Sequence, residues 1–170
     1  MSCTEIVVFK ECGNAEYYSE VKNAWRGAMA VWNTVNKKYL NGSANIFFDS
    51  DPIWDLFKDK NVSRIDRIVL GSTFDKALIK KESLREVIDA YREFEKENQC
   101  TSLSEQADIL EEILDEGYIA VGFNQISVNE NPWVHGLYDD EKDEEYEYSY
   151  NCLESKEHFW LMELVNKIDK

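Results

Sequence analysis

The sequence predicts an α+β fold in one domain spanning residues 1–170: a small mixed or antiparallel sheet of four to five strands, packed with about five helices, with a long central helix over 15–40. Three observations carry this expectation. Tyr18, Val21, Trp25, Ala28, Trp32, Val35 and Tyr39 are spaced by three and four residues in alternation, which keeps one face of a helix apolar. Short β-branched and aromatic runs, Ile6-Val7-Val8-Phe9 first among them, have the composition of buried strands. Helix-start signals stand between such runs: Asp51-Pro52, and Ser83 and Ser102, each followed three residues later by glutamate.

Taken in order, Thr4–Lys10 is the first strand, and Gly13-Asn14 turns the chain into the main helix, with Asn14 as its cap. Asn41-Gly42 ends that helix, because both residues tolerate the left-handed conformation. Ile46-Phe47-Phe48 fits a strand, and a short helix with Ile53, Trp54, Leu56 and Phe57 follows Asp51-Pro52. Ile65–Gly71, centred on Ile68-Val69-Leu70, reads as a second strand, while Ala77-Leu78-Ile79 fits a strand and a helical turn equally. Leu84, Val87, Ile88, Tyr91 and Phe94 make the inner face of one helix; Leu103, Ala107, Leu110, Ile113 and Leu114 make that of the next. Tyr118–Phe123 is another strand, with Ile126-Ser127-Val128 as its candidate neighbour, and a last helix starts near Ser155.

A chain of 170 residues with 44% apolar and 13% aromatic residues has enough material for a core, and its 2 prolines argue against disorder. The net charge of -15 disfavours direct binding to DNA or RNA, whose dense negative charge selects basic faces. It fits solubility, or a basic protein partner steered in by the field. Cys3, Cys12, Cys100 and Cys152 contain no CxxC spacing, and only His135 and His158 are available beside them, so no zinc site is expected. Met1-Ser2-Cys3-Thr4-Glu5 leads straight into a strand pattern, and no apolar run reaches the ~20 residues of a membrane span, so a cytoplasmic protein without signal peptide or membrane contact is expected.

No stretch names a reaction. G-x-S-x-G, H-E-x-x-H and G-x-G-x-x-G are absent, so no catalytic residue, metal ligand or cofactor is assigned. Ser72-Thr73-Phe74-Asp75 lacks the glycines of a phosphate loop and reads as a capping segment. Three clusters remain. The first is the acidic run from Asp139 to Glu147, in which Asp139, Asp140, Glu141, Asp143, Glu144, Glu145 and Glu147 surround the single Lys142. Its alternating carboxylates resemble a calcium loop, but the sixth and twelfth positions, Glu144 and Tyr150, are not the glycine and glutamate such a loop needs. The run reads as a solvated loop, as a weak cation site, or as a contact surface for a basic protein, with Tyr146 and Tyr148 supplying rigid contact area.

The second cluster is a candidate ligand pocket of Asn124, Gln125, Trp133 and His135, in which Trp133 forms a wall and His135 serves as acid or base; amides that satisfy loop backbone are the alternative. The third is a stripe of small residues on the main helix, Asn23, Gly27, Ala30 and Thr34, a packing seam within the chain or the face of a homo-oligomer. In composition alone the chain resembles small acidic inhibitors and immunity proteins of bacteria and their phages. The leading functional expectation is a non-enzymatic interaction protein that binds a basic, nucleic-acid-acting protein. A small-molecule enzyme or sensor built on the Asn124–His135 loop, and a structural protein that self-associates, are the alternatives.

Overall fold

Ile6 and Val8 point from the first strand to one side and Val7 and Phe9 to the other, and all four are buried. That alternation organises a two-sided sheet. The computed structural model describes residues 3–21, 26–74, 76–99, 103–125, 135–139, 144–148 and 158–170, with backbone alone at 26–28, 125, 135–139 and 144–148. It is a single-domain α+β fold. The strands are β1 (Thr4–Phe9), β2 (Ala15–Val21), β3 (Ala77–Lys80), β4 (Ala120–Gln125), β5 (His135–Asp139), β6 (Glu144–Tyr148) and β7 (Phe159–Trp160). The helices are α1 (Arg26–Leu40), α2 (Asp51–Lys58), α3 (Arg64–Gly71), α4 (Leu84–Asn98), α5 (Leu103–Leu114) and α6 (Leu161–Ile168).

Five strands form one mixed sheet in the order β2-β1-β4-β3-β7, antiparallel except between β3 and β7, and β5 and β6 form a separate antiparallel ribbon. Ile6, Val8, Ile79, Val121 and Phe123 face the helices, all six of which contribute to the main core. Val7, Phe9, Leu78 and Ala120 form a smaller buried cluster on the opposite face, with Trp160 packed against it.

The long central helix lies elsewhere than expected. A one-turn 3-10 segment at Lys81–Ser83 runs directly into α4, giving helical structure from Lys81 to Asn98 packed between α3 and α5. The stretch expected to be one helix over 15–40 is instead strand β2 followed by α1. The cause is a β-bulge. Ile6 pairs with Ser19 and Val7 with Tyr17, which leaves Tyr18 as the extra residue. Tyr18 and Val21 therefore both reach the helix side of the sheet, and a strand imitates the three-residue step of a helix. Asn14 accordingly caps no helix; it closes the β1–β2 turn, accepting from the Lys10 amide at 3.1 Å, with Gly13 at φ +83°. The far end of α1 does follow its stop signal, with Asn41 and Gly42 at φ +52° and +74°.

Ile65–Gly71 is not a strand but helix α3, capped by Ser63, whose hydroxyl accepts the Asp66 amide at 3.1 Å. From Asp66 to Gly71 every residue is buried, so burial on all sides erases the periodicity that would mark a helix. Gly71 is required by close packing: a Cβ there would run into Leu161 and stand 2.6 Å from Phe57 Cε2. Ser72 and Thr73 end α3 by donating their hydroxyls back to the carbonyls of Val69 and Leu70, at 2.7 and 2.6 Å. They thus cap the helix before them rather than a turn after them. Ala77–Lys80 resolves to strand β3. Ser83 makes no side-chain cap, because it is already the last residue of the 3-10 turn. The last helix begins at Leu161 rather than near Ser155, after strand β7, and Ile46–Phe48 lies in a turn.

Candidate functional site

The β5–β6 ribbon holds part of the acidic run. Its register pairs His135 with Tyr148, Leu137 with Tyr146 and Asp139 with Glu144, and, alternating with these, Gly136 with Glu147 and Tyr138 with Glu145. Because positions alternate between faces, 135, 137, 139, 144, 146 and 148 share one face and 136, 138, 145 and 147 the other. The described carboxylate positions, Asp139, Glu144, Glu145 and Glu147, stand opposite Gly136, Tyr138 or one another, never opposite a lysine or arginine. Asp139 opposite Glu144 is a like-charge pair of the kind that destabilises a ribbon. Neither strand joins the five-stranded sheet, and a two-stranded ribbon alone is marginally stable in water. Asp140, Glu141 and Asp143 lie outside the described residues.

Of the candidate pocket residues, one has a described side chain. Asn124 is in the sheet, on β4, 6% exposed, and its amide donates to Glu5 Oε2 at 2.8 Å on the neighbouring strand β1. A buried amide held by a sheet neighbour is satisfied by the fold itself. Gln125 ends β4 and His135 begins β5, while Trp133 lies outside the described residues. On the small-residue stripe, Gly27, Ala30 and Thr34 fall on α1; Ala30 is half-buried against the main core, and Asn23 lies outside the described residues.

Two features escaped the sequence reading. The first is the turn between α1 and α2. Asn36, 5% exposed, clamps its base: the amide donates to the Ala44 carbonyl at 2.9 Å and Asn36 Oδ1 accepts the Ala44 amide at 3.1 Å. Ile46 anchors the turn in the core, and Asn45 O accepts from the amides of Phe48 and Asp49 at 3.1 and 3.0 Å. Phe47 and Phe48 are carried outward, 67% and 90% exposed. Beside Phe47 runs an open groove of about 390 Å³, lined in part by Asn33, Asn36, Lys37, Ser43 and Asn45. A signal was present, since Asn45 before and Asp49-Ser50-Asp51 after the two phenylalanines are turn formers.

The second is a set of charges along α3. Asp66 is fully buried and accepts from Lys38 Nζ at 2.7 Å and from the Tyr39 hydroxyl at 2.5 Å. That hydrogen bond to Asp66 is the main reason the Lys38 ammonium titrates above its ordinary range. Arg67, 2% exposed, donates to the Val62 carbonyl at 3.1 Å and to Asp169 beyond α6. Arg64 donates to the same Asp169, to Glu86 at 2.7 Å and to Asn166 at 2.6 Å. The hydrogen bond from Arg67, helped by Arg64, holds the Asp169 carboxyl below the usual carboxylate range although partial burial opposes it. These groups lock α1, α3, α4 and α6 together; Arg64 and Glu86 also line an open groove of about 260 Å³ between α3 and α4, with Ile65, Ile68, Asp89 and Glu93. Among the described residues no three His, Cys, Asp or Glu side chains come together as metal ligands, and no helix is long and apolar enough to cross a membrane.

Compared with models of protein families, with curated proteins and with solved structures, the chain matches none. Its function is therefore argued from its own residues.

Proposed function

We propose that this chain is a non-enzymatic, cytoplasmic binding protein whose acidic β5–β6 ribbon takes a basic protein partner, of the kind that itself handles nucleic acid. The observation that carries the reading is the ribbon's register: four carboxylate positions with no cation across from any of them, interleaved with tyrosine positions 138, 146 and 148. A row of carboxylates can mimic a phosphate backbone in charge, and tyrosine adds contact area at low entropy cost. The net charge of -15 supports the reading by steering a basic partner while repelling nucleic acid. A cytoplasmic setting is supported by the free thiols of Cys3 and Cys12.

The test is retrieval of partners from lysate of the source organism, followed by titration of the purified partner. The variant changes Asp139, Asp140, Glu141, Asp143, Glu144, Glu145 and Glu147 to Asn or Gln. Affinity should fall at least about tenfold, roughly 1.4 kcal/mol, and its salt dependence should flatten, since exposed charges are screened over about 8–10 Å at 0.1–0.15 M. Unchanged affinity and salt dependence would remove the ribbon from the function.

A further inference from the structure

We propose that the Phe47–Phe48 turn is a second docking surface, which inserts both rings into an apolar cleft of a protein partner whose rim carries lysine or arginine. The proposal draws on other residues than the ribbon and does not depend on it.

Two adjacent phenylalanines at 67% and 90% exposure leave roughly 300 Å² of ring surface in water, taking about 200 Å² for each side chain. That is the size of the largest apolar patch on an ordinary monomer, and such patches are often functional. The turn is not loose. Asn36 holds Ala44 by two hydrogen bonds, Ile46 is buried beneath, and the Asn45 carbonyl gathers two amides. A knob already fixed in one conformation loses little entropy on docking. The apolar residues around it have found the core: Ile46, Ile53, Leu56 and Phe57 are all buried within ten residues of the pair. The two rings point away from an interior that the same segment reaches.

Charge chooses the occupant. Exposed Asp49 and Asp51 border the rings on the α2 side, and Asp49 is fixed there by accepting the Asp51 amide at 3.0 Å. Lys37 lines the groove together with Phe47. The cleft that fits is apolar at its floor, basic opposite Asp49 and Asp51, and carries an acceptor opposite Lys37. A lipid surface fits poorly, because cytoplasmic leaflets are anionic and amphipathic anchors carry basic flanks, not aspartates. A second copy also fits poorly. The rings supply less than half of the ~800 Å² per side of a stable interface, and two chains at -15 repel each other.

The test uses a phage-displayed library of random dodecapeptides, panned against the folded protein, with Phe47→Ser/Phe48→Ser and Asp49→Asn/Asp51→Asn double variants as comparators. Enriched peptides should combine aliphatic or aromatic residues with Lys or Arg. They should bind the Phe double variant at least tenfold more weakly, and the seven-amide ribbon variant as well as the parent. Because both rings are exposed, the Phe variant should melt with the parent, so weaker binding reads as lost contact. The Asp variant should lose the preference for Lys and Arg. Enriched peptides indifferent to Phe47 and Phe48, or an unchanged preference for basic residues in the Asp variant, would overturn the proposal. So would Phe-dependent binding to phosphatidylserine vesicles, or a dimer in sedimentation velocity that the Phe variant dissolves.

Discussion

Asp169→Asn should destabilise the protein by about 2–3 kcal/mol, a value set by which of its two partners is buried. Arg64 is about one-third exposed and keeps Glu86 and Asn166 after the change, so its loss falls in the 0–1 kcal/mol range of a surface ion pair. Arg67 is different. Its side chain is 3% exposed, and without Asp169 its remaining hydrogen bond in the structure is to the Val62 carbonyl. Removing one partner of a fully buried pair costs about 3–5 kcal/mol. Asp169 itself is 31% exposed, so solvent softens the loss toward the lower end of that range or beneath it. For a chain of 170 residues the melting temperature should fall by about 4–12 °C. Urea is the denaturant of choice at pH 7, because guanidinium chloride would screen the pair. The acid side gives an independent signature. The folded Asp169 carboxyl lies below its unfolded value, so its stabilisation is complete above pH ~4 and is lost as pH falls through the depressed folded value. Parent and variant should therefore converge below pH ~4. Equal stability at pH 7, or a gap that persists undiminished to pH 2–3, would show that Asp169 does not support Arg67.

Two other substitutions test the packing that positions the candidate surfaces. Gly71→Ala should cost about 1–3 kcal/mol by overpacking, since the new methyl meets Phe57 and Leu161, both fully buried; an unchanged thermal melt would mean that α2 and α6 yield freely at that point. Asn36→Ala should cost about 1–3 kcal/mol, because it leaves the Ala44 amide and carbonyl unpaired beneath the Phe47–Phe48 turn. Hydrogen exchange at Ala44 should accelerate with it, and unchanged exchange would show that the turn holds without its clamp.

The fold class was legible because most elements have one solvated side. In α4 the buried positions Leu84, Val87, Ile88, Tyr91 and Phe94 keep helical spacing against exposed partners, and α2 opens at Asp51-Pro52 as its sequence signals. Where burial is complete or the backbone is irregular, the pattern misleads. Arg64–Gly71 shows no period because its last six residues are all covered, although Ser63 with Asp66 three residues on was a readable cap. Tyr18 sits in a bulge, and no residue pattern distinguishes that from a helical step. The grip of Arg67 on Asp169 joins positions 102 residues apart, a pairing that composition and spacing do not encode. Of the candidate sites, the carboxylate positions were read directly, but the register that places no lysine or arginine directly across from the described ones is a property of the folded ribbon. The Phe47–Phe48 pair was visible and misassigned, since two adjacent aromatics satisfy a strand as well as a turn.

Within the described residues, buried polar side chains and exposed apolar ones differ in what they bond. The buried polar side chains bond to structural partners, Asn124 to Glu5, Asn36 to Ala44, Asp66 to Lys38 and Tyr39, Arg67 to Val62 and Asp169. Asp66 Oδ1 and Arg67 Nη1 have no hydrogen-bond partner among the described residues. Among the exposed groups, two phenyl rings on a clamped turn stand out as apolar. Leaving them in water forgoes roughly 2–5 kcal/mol of burial, at about 1.5–3 kcal/mol for each fully buried ring. The turn is held by other groups, with Ile46 in the core, Asn36 on Ala44 and the Asn45 carbonyl on the amides of Phe48 and Asp49. A polar pair at 47 and 48 would serve the turn as well. On the docking proposal above, the phenylalanines are kept for a partner that covers the rings, and their acidic border calls for a basic protein as that cover.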